Sequence, residues 1–133
     1  MALALAAKQG FADVVSALAS KGSMVDIMAR DTSGRTALMY AASRGFVNVV
    51  LTLVEVSHHS QLYVADKDGR TALVHAIEGG YTDIVRVLLA HNAARQVVVT
   101  DKCGMTPLLQ AAGRGLLGIV KVLLSHHPSY QVR

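Results

Sequence analysis

The chain repeats itself every 35 residues, and that period limits the folds open to it more than any other feature. Asp31-Thr-Ser-Gly34-Arg-Thr36-Ala-Leu38 aligns without a gap on Asp66-Lys-Asp-Gly69-Arg-Thr71-Ala-Leu73 and on Asp101-Lys-Cys-Gly104-Met-Thr106-Pro-Leu108. The same offset carries Ala41 onto Ala76 and Ala111, and Gly45 onto Gly80 and Gly115. It carries Val50 onto Val85 and Val120, then Leu53 onto Leu88 and Leu123. One period back lie Leu3, Ala6, Gly10, Val15 and Leu18, so an incomplete copy opens the chain. The reading is a single domain, 1–133: a partial copy 1–30 and full copies 31–65, 66–100 and 101–133.

Each copy has a physical reading. Asp, then Gly three residues on, then Thr, makes a turn that leads into a helix N-cap. Pro107 suits the first helical position, where its missing N–H costs nothing. Leu38, Ala41 and Ala42 fall at helical spacing, and Gly45 ends that short helix as a left-handed cap. A second helix follows, with Val49, Val50, Leu53 and Val54 on one face. Ile27, Leu62, Val97 and Val132 recur at the period and are expected to anchor the linkers. Neither helix can hide its apolar face alone, whereas stacked copies bury a continuous core. The expected fold is therefore all-α, a solenoid of stacked helix–turn–helix units with β-turn tips. With 52% apolar and 17% charged residues the chain has the material for such a core, and intrinsic disorder is excluded.

The pattern resembles the ankyrin repeat, D-x-x-G-x-T-P-L-H-x-A-A-x-x-G-x-x-x-(I/V)-V-x-x-L-L, over nearly the whole chain. There are three departures. The motif's Pro is Ala37 and Ala72 in two copies and is kept only as Pro107. Its His is replaced by Met39, Val74 and Leu109. The period is 35, and the added residues fall after the second helix, in segments such as Glu55 to Ala65, where extra loop length costs little. The resemblance implies a concave surface of turn tips and first helices that binds other proteins.

Several motifs that suggest chemistry have plainer explanations. Gly113-Arg114-Gly115-Leu116-Leu117-Gly118 spells G-x-G-x-x-G, but a dinucleotide site needs a strand before the glycines, and Gly115 is here the counterpart of Gly45. His58, His59, His91, His126 and His127 read as polar surface, because no cysteine or carboxylate stands at ligand spacing. His75 pairs with Glu78 on what is read as an exposed helix face, with no nucleophile in a matching place. Cys103 is the only cysteine, which excludes an internal disulfide, and it reads as an exposed thiol at a turn tip. Asp31, Asp66 and Asp101 are one turn residue three times over, not a catalytic pair. No catalysis, cofactor or metal is expected.

Subtracting the residues needed for folding leaves those that function can use. On the first helices these are Lys8, Tyr40, Ser43, Arg44, His75, Glu78, Gln110 and Arg114. On the turn tips they are Thr32, Ser33, Arg35, Lys67, Asp68, Arg70, Lys102 and Met105. Lys8, Arg35, Arg44, Lys67, Arg70, Lys102 and Arg114 stand against Asp68 and Glu78, a balance of +5 on this face within a chain of net charge +4. The expected partner is a protein with an acidic surface, with no small-molecule substrate. Nucleic-acid binding by the basic face is the second reading, although the six aromatics do not interleave with the basic residues as stacking platforms would. A regulatory segment of a larger enzyme is the third. Charged residues interrupt every apolar run before a membrane span is reached. The apolar start lacks a positive flank, so no signal peptide and an intracellular, cytoplasmic location are expected. The chain opens inside a copy, which leaves open both a fragment of a longer array and a short natural protein.

Overall fold

The computed structural model describes residues 2–21, 27–57, 60–91 and 93–126. Its elements follow the period: α1 (Ala2–Gln9) and α2 (Ala12–Lys21), then α3 (Ala37–Arg44) and α4 (Val47–Val56). A 3-10 turn follows at Ser60–Tyr63, then α5 (Ala72–Gly79), α6 (Thr82–Leu89) and a single turn of helix α7 (Ala93–Gln96). The last pair is α8 (Pro107–Gly113) and α9 (Leu117–His126). No strand occurs among the described residues.

The first helices α1, α3, α5 and α8 pack in one row, and the second helices α2, α4, α6 and α9 in another. Alanines make the inner row close: Ala41 and Ala76 are fully buried between neighbouring copies, with Leu38 and Leu73 beside them. The outer row contributes Leu53, Ile84, Leu88, Ile119 and Leu123, so one core runs the length of the stack. Each copy touches mainly its neighbours, as a solenoid requires.

The first helices begin and end as their residues dictate, with one exception. Thr36 and Thr106 are extended, and their hydroxyls accept the Met39 and Leu109 N–H groups at 3.3 and 3.2 Å. Thr71 has the same backbone conformation, but its hydroxyl makes no cap bond, which corrects the expectation of a third Thr cap. Gly45 closes α3 at φ +80°, where its N–H donates to Ala41 O. The linkers are more ordered than loop length alone suggests. Their short helical turns bury Leu62 and Val97, and Ile27 is buried likewise, whereas Val132 lies outside the described residues. Gln61 and Gln96, one period apart, are also buried there. Gln61 Nε2 donates to Ile27 O at 2.7 Å, and Gln96 Nε2 to Leu88 O and His91 O at 2.6 Å.

Candidate protein-binding surface

The turn aspartates organise the finger side of the molecule. In every full copy Oδ1 of the aspartate accepts two backbone N–H groups: Ser33 and Arg35 on Asp31, Asp68 and Arg70 on Asp66, Cys103 and Met105 on Asp101. Oδ2 then meets a side chain nine residues on, from the first helix. The Tyr40 hydroxyl donates to Asp31. His75 Nε2 lies 2.8 Å from Asp66, and Gln110 Nε2 donates to Asp101 at 2.9 Å. Three different side chains thus make one brace between turn and helix.

This geometry corrects two assignments. His75 and Gln110 are not surface residues: they are 3% and 8% exposed, held inward by their aspartates. His75 Nδ1 also lies 3.8 Å from Glu78 Oε1. The signal was present in the sequence, because a hydrogen-bonding side chain follows each turn Asp at the same nine-residue distance.

The bonds set the charge states. Burial works to raise the Asp66 carboxyl, but the Arg70 N–H, His75 and the Asp68 N–H outweigh it and hold it below the ordinary carboxylate value. Asp31 is held low in the same way, against its partial burial, by Tyr40 and the Arg35 and Ser33 N–H groups. Asp101 is lowered first by the Met105 N–H, with Cys103 and Gln110 adding to it. The Tyr40 hydroxyl is raised by its bond to Asp31 and by burial.

Successive tips are joined through the backbone. Lys67 N–H donates to Ser33 O, and Lys102 N–H to Asp68 O, both at 3.0 Å. The tips therefore form one continuous edge on which Thr32, Ser33, Lys67, Asp68, Lys102 and Cys103 are exposed. Arg44 and Arg114 are exposed on the first helices, while Lys8, Arg35, Tyr40, Ser43, Arg70, Glu78 and Met105 are half-buried.

Several of these residues are engaged within the chain. Arg70 Nη1 lies 2.9 Å and Arg114 Nη2 3.2 Å from Glu78 Oε2, so one carboxylate joins two copies. Arg35 Nε is 3.8 Å from Asp66 Oδ2. Lys8 Nζ stands 4.2 Å from the Tyr40 ring centroid, and the Arg35 guanidinium carbon 5.8 Å from it. The Ser43 hydroxyl donates to Tyr40 O.

The remaining motifs take the places their repeat positions imply. Gly115 has φ +69° and follows α8, a helix rather than a strand. Among the described residues no group of three or more His, Cys, Asp or Glu is placed to hold a metal ion. His58, His59 and His127 lie outside those residues. No helix among them is long and apolar enough to cross a membrane.

Comparison with protein-family models gives a match to ankyrin repeats, three copies, over residues 1–64 and 56–133. Comparison with curated protein sequences gives no match.

Proposed function

The chain belongs to the ankyrin-repeat family, and from that premise we propose that it is a protein-recognition module whose partner lies against the turn tips and first helices. Ankyrin repeats generally mediate protein–protein interaction, and the family is typically non-catalytic. The observation that carries the finer reading is the joined edge of tips. The backbone bonds at Lys67 and Lys102 fix the fingers relative to one another, while the side chains of Thr32, Lys67, Asp68 and Lys102 carry no packing duty. A rigid edge bearing variable side chains is preorganised for binding, because little ordering entropy remains to be lost on association.

The positive balance of this side favours an acidic protein surface and faster encounter at low salt. Lys67, Lys102, Arg44 and Lys8 supply the available charge, with Arg35 beside them. Arg70 and Arg114 contribute less, since Glu78 holds both guanidinium groups. His75 and Gln110 are left out of the contact set because they are buried. We assign no reaction, cofactor or small-molecule substrate to the surface.

Charge reversal tests the assignment. Lys67→Glu with Lys102→Glu alters only exposed tips, whereas Arg86→Glu with Lys121→Glu alters the exposed side of the second helices. The tip pair is expected to abolish capture of an acidic protein partner with little change in melting temperature. Loss of capture with the second-helix pair alone would move the function to the outer helices.

A further inference from the structure

The two halves of the finger side are not equivalent, and the difference lies in how many cationic donors are already used. In the C-terminal half the guanidinium groups of Arg70 and Arg114 converge on Glu78, which spends them on an internal carboxylate. In the N-terminal half two cations stand over one aromatic ring, and a third follows close by. Lys8 from the first copy stands 4.2 Å from the Tyr40 centroid, with the Asp31 carboxylate near enough to feel its charge. Arg35 lies 5.8 Å from that centroid; its Nε is 3.8 Å from the buried Asp66 carboxylate, and its terminal nitrogens make no hydrogen bond among the described residues. Arg44, one helical turn beyond Tyr40, donates Nη1 to the neutral Lys8 carbonyl at 3.1 Å and keeps its other donors.

Two carboxylates lie near this group: Asp66, 3.8 Å from Arg35 Nε, and Asp31, whose acidity the Lys8 charge helps to increase. The Asp31 oxygens accept the Tyr40 hydroxyl and the Ser33 and Arg35 N–H groups, which leaves the donors of Arg35 and Arg44 to other acceptors. The group sets three cations against those two carboxylates, and the net positive charge that remains attracts an added anion. Forked guanidinium groups suit a carboxylate, to which they can give two parallel bonds. Tyr40 offers the apolar floor and is itself fixed by Asp31 and by the Ser43 bond to its carbonyl.

We propose that Lys8, Arg35 and Arg44 around Tyr40 form the anchoring pocket of the binding surface, and that it takes an aspartate or glutamate side chain of an acidic protein segment. This rests on the finger side being the binding face. The pocket bridges the first two copies, so the acidic anchor sits at the N-terminal end, and the rest of the segment extends along the tips past Lys67 and Lys102.

The test uses the whole chain and a short poly-glutamate peptide, with a poly-lysine peptide of the same length as the control. Affinity and backbone amide shifts are recorded at low and at physiological salt. Binding of poly-glutamate, weakened by salt, with the largest shifts at Lys8, Arg35, Tyr40 and Arg44 is the expected result. Lys8→Gln with Arg44→Gln should weaken it about tenfold or more, the scale of losing charge-assisted bonds, while the melting temperature stays close to the parent's. Arg70→Gln with Arg114→Gln should change it less than about twofold, since those groups are already paired. A larger loss from the Arg70/Arg114 pair would overturn the pocket while leaving the finger side as the binding face. A loss confined to Arg86→Gln with Lys121→Gln would overturn both. So would the absence of any preference for poly-glutamate over poly-lysine.

Discussion

A Cβ built on Gly45 would stand 2.7 Å from Cε1 of Tyr81, so the ring at the start of one second helix rests on the glycine that closes the preceding copy's first helix. Phe46 sits on Gly10 in the same way, with a closest approach of 2.9 Å. At Gly80 the counterpart is Leu116, and a Cβ would be a comfortable 3.8 Å away. The glycine thus has two jobs that sequence comparison alone cannot separate: a left-handed backbone, and room for the next copy.

That separation is measurable. Gly45→Ala and Gly80→Ala both meet the positive-φ penalty, about 1 kcal/mol. Only Gly45→Ala also displaces the Tyr81 ring, so its melting temperature should fall clearly further than that of Gly80→Ala. Equal losses would mean the ring contact contributes nothing. Gly79→Ala would disturb the same ring, because a Cβ there would lie 2.4 Å from it.

The caps give a second comparison. Thr36→Ala and Thr106→Ala each remove a hydroxyl that accepts a helix N–H, at about 1 kcal/mol per cap. Thr71→Ala removes no such bond and should cost less in a urea titration.

The brace at Asp66 and His75 gives a third. His75→Ala leaves a buried carboxylate oxygen without its partner, an expected loss of about 1–3 kcal/mol. His75→Gln should recover much of it, because Gln110 makes the same bond to Asp101 one copy later. If Ala and Gln destabilise equally, the bond is not what holds the turn to the helix.

The turn aspartates set the acid limit of the fold. Their folded values lie below the ordinary 3.8, so the stability they contribute is fully present above the unfolded value. It is lost as pH falls through the lower folded values. The urea midpoint should therefore drop steeply below about pH 4. Asp101→Asn keeps an oxygen for the Cys103 and Met105 N–H groups and removes one titrating group, so it should flatten that drop.

The sequence carried the stack, the turns and the left-handed glycines because those features repeat, and a repeated constraint is visible in one chain. It misplaced His75 and Gln110 because helical spacing alone puts them on the outward stripe with Tyr40. The aspartate nine residues earlier folds over that stripe and draws them in. Gln61 and Gln96 went unread for a related reason: each sits in a linker that looks polar, and its burial depends on a carbonyl supplied from elsewhere, Ile27 in one case and Leu88 in the other. The pairing of Arg70 and Arg114 through Glu78 joins residues from different copies at different repeat positions, and no periodicity predicts it.

Hydrogen–deuterium exchange of the whole chain, with and without an acidic protein partner, tests the central claim most directly. Binding should slow exchange at the turn tips around 31–35, 66–70 and 101–105 and in α1 and α3, most of all between Lys8 and Arg44. The exposed sides of α2, α4, α6 and α9 should exchange as before. Protection confined to those second helices, with the tips unchanged, would contradict the account.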